Sequence, residues 1–154
     1  MPTPGQIGGS VFIFGAQPGG FAATFFVDQD GNVNGKVIFD DSKQGPPGHA
    51  HGGALATLID EAMGAAAWNH GHRVLAANLN FNYRRPVPLN VEVAVQGRVE
   101  RVDGRKIHTS GAILLPNGTP AVEGTGLFIE APQYFGTEGF NPFMVDTFTK
   151  SYED

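Results

Sequence analysis

The sequence predicts a single α+β domain in which a curved antiparallel β-sheet wraps around one long central α-helix. Only one segment, about 52–70, is long enough and continuous enough in apolar and small residues to form a substantial helix. The apolar segments around it are short, and Gly, Pro, Asn and Asp mark the turns between them. One helix among strands joined by short turns is typical of α+β proteins rather than of alternating β-α-β units.

The segment before the helix predicts an irregular arm followed by a β-hairpin. Residues 1–20 are rich in Gly and Pro, and only 11–14 suggests a short turn or helix there. Apolar segments at 21–28 and 34–39 flank an Asp30-Gly31 step, which is a strong hairpin signal. We therefore place the start of the domain at residue 21.

Four segments of strand length are predicted after the helix. Turns that contain Pro, Asp-Gly or Asn-Gly separate them. Small residues at 64–67 of the helix would let a sheet approach closely and curve around it. These features together describe the hotdog fold. The four predicted strands are 73–84, 90–103, 106–116 and 120–130.

The last 24 residues, 131–154, are predicted to be an extension that packs on the domain or on a neighbouring subunit. Six aromatic residues in this segment are too many for a solvated disordered tail. Because the tail is acidic rather than basic, contact with a membrane surface is disfavoured. The six aromatics are Tyr134, Phe135, Phe140, Phe143, Phe148 and Tyr152.

Composition excludes several classes of protein. The net charge of −5 argues against general nucleic-acid binding, and no apolar run is long enough for a transmembrane helix. The first cationic residue is Lys36, so a signal or transit peptide is not expected. The absence of cysteine excludes disulfides and a catalytic thiol, and is compatible with a reducing cytoplasm, where we expect the protein to reside.

Six of the ten Lys and Arg residues lie between positions 84 and 106, where there are only three acids. A local basic window on an acidic chain suits a small polyphosphate ligand better than a polymer, although solvated strand faces would explain the individual residues equally well. The six cations are Arg84, Arg85, Arg98, Arg101, Arg105 and Lys106.

The start of the long helix and its middle carry the features of a site. His51-Gly52-Gly53 opens the helix, where unpaired backbone N–H groups suit an oxyanion and glycine lets a ligand approach closely. Asp60 follows nine residues after His51, and a mid-helix Asp among apolar residues is unfavourable for propensity and burial. A functional carboxylate explains this better than a structural one bonded to buried backbone.

Helical geometry places Asp60 on a face of small residues, with space for a ligand over the carboxylate. Glu61 is rotated by a further 100° and is the less favoured actor. Burial should raise the pKa of Asp60, whereas a donor such as His51 would oppose the rise. The residues that share this face are Ala56, Thr57, Met63, Gly64 and Ala67.

Other catalytic machinery is not visible in the sequence. The two His-x-His pairs, His49/His51 and His70/His72, lack the further ligands that a metal site needs, so no metal is expected. No nucleophile elbow, P-loop or dinucleotide-binding fingerprint is present. A hydrolase of this kind must use a carboxylate, which favours substrates with a good leaving group such as a thioester.

Four segments in this order resemble the hotdog acyl-CoA thioesterases of the 4-hydroxybenzoyl-CoA thioesterase (4HBT) superfamily. The likeness runs from about 45 to 130 and is greatest to the PaaI-like and THEM4/THEM5-type branches. The segments are His51-Gly-Gly-Ala-Leu-Ala-Thr-Leu-Ile-Asp60, Ala77-Asn-Leu-Asn-Phe-Asn-Tyr-Arg-Arg-Pro-Val-Pro-Leu89, Arg101-Val-Asp-Gly-Arg-Lys106 and Gly126-Leu-Phe-Ile129.

The resemblance implies an acyl-CoA thioesterase with no cofactor. Asp60 would be the catalytic carboxylate, the Gly52 and Gly53 amides would polarise the thioester carbonyl, and His51 would support their loop. The resemblance further implies a homodimer or dimer of dimers with active sites between subunits. From the charge and the apolar pattern given above, no nucleic-acid or membrane partner is expected. Coenzyme A would be contacted by the segment Asn82-Tyr83-Arg84, by Arg105 and by Ser110, and Asn78 is a further candidate for substrate binding.

Two departures from the family pattern concern the water or nucleophile. Ala76 stands where many relatives have a hydroxyl residue, and Gly45, beside Gln44, stands where PaaI-like relatives have Asn. Thr57 or Asn78 could replace the missing group. Two alternatives therefore stay open, a non-catalytic acyl-CoA-binding protein and an enoyl-thioester hydratase or dehydratase using His51 with Asp60.

Overall fold

The computed structural model describes residues 5–135 and 141–143 of the chain. They form one antiparallel seven-stranded sheet in the order β1-β2-β3-β5-β6-β7-β4, with a single long helix. The strands are β1 (Gln6–Ile7), β2 (Thr24–Val27), β3 (Val33–Ile38), β4 (Val74–Tyr83), β5 (Glu92–Asp103), β6 (Lys106–Leu114) and β7 (Pro120–Glu130). The helices are the four-residue α1 (Val11–Phe14) and α2 (Gly52–Asn69).

The predicted fold class is confirmed, since one main helix packs on an antiparallel sheet. Helix α2 buries its sheet-facing side chains, such as Leu58 and Ile59, against inward-facing residues of the strands, such as Val95 and Ile113. The small residues predicted to permit close approach, 64–67, are all buried. The helix therefore lies along the concave face of the sheet and positions the candidate site.

The sheet extends into the segment predicted to be an irregular arm. Gln6 and Ile7 pair with Phe26 and Phe25 of β2, so the first strand precedes residue 21. The rest of this segment is irregular apart from α1, which a backbone bond from Gly15 N to Val11 O closes. The hairpin predicted at Asp30-Gly31 joins β2 and β3.

Strand β4 forms an edge of the sheet. It is hydrogen-bonded to β7 on one side, and its other side has no strand partner among residues 5–135. Most of its residues are exposed, including Leu75 at 48% and Tyr83 at 53%. A long apolar edge of this kind is a ready template for pairing with another strand.

Part of the predicted aromatic extension can be described. Phe135 packs edge-on against Trp68 of α2, with 4.8 Å between ring centroids. Phe143 is buried, and its carbonyl accepts a hydrogen bond from Gly8 N. Tyr134 is exposed, and Phe140, Phe148 and Tyr152 lie outside the described residues. No helix in the described part of the chain is long and apolar enough to cross a membrane.

Candidate active site

The start of α2 is held by His51, which is the N-cap residue. Its Nδ1 accepts a hydrogen bond of 2.9 Å from Gly53 N, and its carbonyl accepts from the amides of Ala54 and Leu55. The Gly52 amide has no hydrogen-bond partner in the described part of the chain. Of the two amides predicted to form the oxyanion site, Gly52 N–H is therefore the one available to a ligand.

Tyr83 connects the edge strand to this helix start. Its hydroxyl donates a 2.8 Å hydrogen bond to the carbonyl of Gly52, and its ring lies beside the Gly52 Cα. Burial raises the pKa of the Tyr83 hydroxyl, which keeps it a donor. Sequence analysis placed Tyr83 in a segment implied to contact coenzyme A and did not connect it with the helix start, because only tertiary packing brings position 83 to position 52.

Asp60 is partly buried in the middle of α2. Burial raises the pKa of this carboxyl, as expected from the sequence. No described residue forms a hydrogen bond or ion pair with it. His51, the expected donor, caps the start of the helix nine residues away and is out of reach. A carboxylate without a protein partner is free to interact with a substrate or water.

Glu61 has a more strongly shifted pKa than its neighbour. Burial, and secondly the adjacent charge of Asp60, raise the pKa of Glu61 to about 7. Sequence analysis assigned Glu61 the lesser role from its angle on the helix alone. The angle of a residue on a helix does not predict how deeply its side chain is buried, because burial depends on which other segments cover that face of the helix.

The predicted catalytic groups of one chain do not converge on one point. Gly52 and Asp60 lie eight residues apart along the same helix, which corresponds to about 12 Å at a rise of 1.5 Å per residue. A thioester carbonyl bound at Gly52 N–H is out of reach of the same chain's carboxylate. The same separation keeps His51 and Asp60 of one chain from acting together, as a hydratase would require.

The two residues suggested as replacements for the missing hydroxyl are engaged elsewhere. Thr57 Oγ1 donates to Gly53 O at 2.8 Å, and Asn78 Oδ1 accepts from Asn80 Nδ2 at 3.2 Å. The departure at Gly45 has a steric reason, because a Cβ there would lie 2.8 Å from the Cα of His51. An Asn at position 45 would require this loop to shift.

The residues predicted to contact coenzyme A are divided between two ends of the sheet. Asn82 and Ser110 line a cavity of about 580 Å³, and Asn78 and Ser110 line a second one of about 460 Å³. Arg84 Nε forms an ion pair with Glu123, a lining residue of the larger cavity. Asn78, Asn82, Arg84 and Ser110 therefore lie close together on the sheet.

Arg105 lies at the other end. It lies in the turn between β5 and β6, and its guanidinium donates a 3.0 Å hydrogen bond to the carbonyl of Glu130 at the end of β7. Glu123 and Glu130 are seven positions apart on β7, so Arg84 and Arg105 are separated by roughly 20 Å at 3.3 Å per strand residue. Within one chain the two arginines therefore lie at opposite ends of the sheet.

The larger cavities lie on the face of the sheet opposite α2. A Cβ at Gly111 would lie 2.8 Å from Ile59 of the helix, so the adjacent Ser110 faces the other way. Ser110 Oγ donates to Glu100, which also accepts from Arg98 Nε. These bonds lower the pKa of Glu100 and keep the group ionised.

The two His-x-His pairs are used separately. His49 Nδ1 lies 3.0 Å from Pro47 O, His70 Nδ1 lies 2.8 Å from Ala66 O, and His72 Nδ1 lies 3.0 Å from Glu130 Oε1. Among the described residues, no three His, Cys, Asp or Glu side chains form a cluster that could hold a metal ion.

Fold and site together define a hotdog-fold domain with a partnerless carboxylate in its central helix and a free amide at the start of that helix. Residues 47–120 match the family model described as Thioesterase superfamily. This segment belongs to that superfamily, and the predicted resemblance is confirmed.

Relatives and solved structures agree with this family. Acyl-coenzyme A thioesterase THEM4 from Xenopus laevis is 41% identical over 88 residues, which cover 56% of this chain and 40% of THEM4. A crystal structure of a thioesterase superfamily protein is 39% identical, with a TM-score of 0.68 over 70% of this chain and 53% of that one. The chain spans about two fifths of the length of the curated relatives it matches.

A third match is more distant in sequence. A hypothetical thioesterase from Streptococcus pneumoniae, solved with coenzyme A, has a TM-score of 0.66 at 20% identity and covers 70% of this chain and 86% of that one. At this level of identity the match concerns the fold.

Proposed function

We propose that the protein hydrolyses an acyl-CoA thioester to a free carboxylic acid and coenzyme A. The observation that carries this proposal is the partnerless, partly buried carboxylate of Asp60 on a helix whose first amide, Gly52 N–H, is also unpaired. The name of the THEM4 relative and the coenzyme A bound to the Streptococcus pneumoniae protein support the same substrate class.

The chemistry follows from these two groups. Gly52 N–H, at the positive end of the helix dipole, stabilises negative charge on the thioester oxygen. Asp60 either attacks the carbonyl carbon, forming an anhydride that water then hydrolyses, or takes a proton from the attacking water. The C–S bond breaks and its electron pair leaves as the coenzyme A thiolate. A thiol pKa of about 8.5 lets this group leave without a strong acid.

The complete site requires two chains, so we propose a homodimer. The 12 Å separation along α2 supports a site in which Gly52 of one subunit faces Asp60 of the other. The exposed edge of β4 supports pairing of the two β4 strands into one continuous sheet. Tyr83 lies on this edge and contacts Gly52, which places the helix start beside the proposed interface.

Coenzyme A would then be held by cations from more than one subunit. Arg84, with Asn82, Ser110 and Asn78 nearby, and Arg105 at the far end of the sheet remain the proposed contacts. Their separation within one chain supports a ligand that meets each arginine on a different subunit, as in a dimer or a dimer of dimers.

A panel of acyl-CoA esters with detection of the released thiol tests the activity. We expect saturable thiol release from the wild type and at least a 100-fold loss of kcat in Asp60→Asn, because the amide can neither attack the carbonyl nor accept a proton. Asp30→Asn, at an exposed turn, is the matched control and should retain activity. If the wild type binds the esters without releasing thiol, the result would instead support a non-catalytic acyl-CoA-binding protein. If it hydrates crotonyl-CoA, the result would support a hydratase.

A further inference from the structure

A third cavity, of about 330 Å³, lies against the N-terminal turn of α2. We name it the arm cavity, because Phe12 and Gly19 of the N-terminal arm, together with Phe21 directly after it, form one wall. The loop before the helix forms the second wall and the helix itself the third. Its lining residues include Phe12 and Phe21 from the first wall, Lys43 from the second, and His51, Ala54 and Thr57 from the third.

The arm cavity borders the proposed catalytic groups. His51 directly precedes the free Gly52 amide, and Thr57 lies three residues before Asp60 on the same side of the helix. An acyl group whose carbonyl is bound at the helix start could therefore extend into this space.

Lys43 fixes the arm to the wall of the cavity. Its buried Nζ donates to Gly20 O at 2.6 Å and to Ser42 Oγ at 2.9 Å, and it lies 3.3 Å from Asp40 Oδ1. The same ammonium lies 4.9 Å from the ring centroid of Phe21. Three acceptors satisfy its three protons, so Lys43 positions the arm and leaves no free charge in the cavity.

The cavity offers mainly apolar contacts, because its polar side chains are bonded within the protein. Ser42 bonds Asp40, Gln44 Oε1 accepts from Gly48 N, and Thr57 bonds Gly53 O. The first wall is aromatic, with Phe12 edge-on to Phe21 at 5.2 Å between centroids. Phe12 nevertheless remains 55% exposed at the rim, where an apolar ligand would cover it.

We propose that the arm cavity receives the acyl group of the substrate and that Phe12 sets which acyl groups are accepted. This inference rests on the proposed thioesterase function and adds a specificity-determining residue to it. A volume of about 330 Å³ is at the lower end of the roughly 300–1,000 Å³ typical of ligand sites. The preferred acyl groups are therefore compact and apolar, such as octanoyl or benzoyl, rather than palmitoyl.

The test compares acyl-CoA esters of different size on Phe12→Ala. Removing the ring should lower the ratio of kcat/KM for octanoyl-CoA to that for acetyl-CoA about 10-fold, since part of a phenyl contact is lost only for the longer substrate. Ile38→Ala, which removes another half-exposed apolar side chain on β3, is the matched control and should leave the ratio unchanged. An unchanged ratio in Phe12→Ala would overturn the proposal.

Lys43→Met tests the positioning role, because it keeps the apolar stem and removes the hydrogen bonds to the arm. We expect the same fall in the octanoyl-to-acetyl ratio, whereas Lys36→Met, at an exposed ion pair with Glu92, should leave the ratio unchanged. A merely structural role of Lys43 would lower activity on both substrates equally.

Binding of octyl-CoA and ethyl-CoA thioethers, which cannot be hydrolysed, separates the two proposals. Tighter binding of octyl-CoA that Phe12→Ala abolishes would support the arm cavity even if no ester were hydrolysed, in which case only the proposed activity fails. Normal hydrolysis with equal binding of both thioethers would overturn the arm cavity and leave the activity intact.

Discussion

At the scale of single residues, the adjacent carboxylates Asp60 and Glu61 dominate the electrostatics of the central helix. Burial raises the pKa of both, and in Glu61 the neighbouring charge adds to the effect. Asp60 lies on the helix face lined by small residues, with space for a ligand over its carboxylate, so Asp60 is the proposed catalytic group. The two carboxyl groups can be distinguished experimentally, because Asp60 should affect the pH dependence of turnover and Glu61 that of stability.

The pH dependence of turnover should report the ionisation of Asp60. The proposed mechanism needs the ionised carboxylate, and burial raises the pKa of Asp60 above its ordinary value of 3.8. We therefore expect kcat/KM to increase with pH, with the midpoint of this increase above pH 3.8. Pre-steady-state or steady-state rates across pH 3–8 would measure it. Glu61→Gln should retain an acid limb. If the limb disappears in that variant, Glu61 is the catalytic base.

The pH dependence of stability should report Glu61. Below about pH 4.5 the group is protonated in both states. Between pH 4.5 and about 7 the unfolded chain releases the proton while the native chain retains it. The free energy of unfolding therefore falls over this interval as pH rises, by on the order of 3 kcal/mol.

Urea unfolding at pH 4.5 and 8 checks this prediction. Glu61→Gln should remove most of the decline and be more stable than the wild type at pH 8. Glu92→Gln, at an exposed position, is the control and should show the wild-type decline. An identical decline in Glu61→Gln and the wild type would contradict the assignment.

At the scale of elements, the close contact between α2 and the sheet holds the site in place. A Cβ at Gly97 of β5 would overlap the backbone carbonyl of Ala62 in the helix. By contrast, a Cβ at Gly64 of the helix would only reach ordinary contact with the Phe128 ring, at 3.4 Å. Close approach therefore depends on the glycine of the strand rather than on that of the helix.

The same substitution should have opposite effects at these two glycines. Gly97→Ala forces the helix away from the sheet and should destabilise the protein by about 1–3 kcal/mol. Gly64→Ala should be neutral or stabilise it by up to about 1 kcal/mol, since alanine favours the helical conformation. Chemical denaturation of both variants measures the difference, and equal loss in both would contradict the packing described.

At the scale of the whole molecule, the proposed catalytic groups of one chain are too far apart to act together, and the apolar edge of β4 is available for a second chain. The proposed symmetric dimer would contain two sites, each with Gly52 from one subunit and Asp60 from the other. This arrangement can be tested by mixing two inactive variants.

The two variants for mixing are Asp60→Asn and Gly52→Pro. Proline is well accepted at the first helical position and removes only the N–H that the mechanism uses. His51 before it is extended, as a residue before proline requires. After subunit exchange, half of the dimers would be mixed with one intact site each, so about one quarter of wild-type activity should return. No recovery despite demonstrated exchange would place the whole site within one chain.

Much of the fold and of the candidate site was predictable because the determining patterns are local. Apolar periodicity located α2 and the four later strands to within a few residues, and His51-Gly52-Gly53 with Asp60 indicated the candidate site. Local patterns could not predict that Gln6 and Ile7 join the sheet, because strand pairing depends on a partner far along the chain.

The sequence by itself determined the fold class, the superfamily and the place of the Asp60 carboxylate in the central helix, since helical spacing and capping residues act over only a few positions. Tertiary structure alone decided that Tyr83 bonds the carbonyl of Gly52, that Glu61 is partly buried, and that Lys43 holds the arm beside an apolar cavity. The physical reason is that burial, cavities and hydrogen-bond partners arise where distant segments pack together.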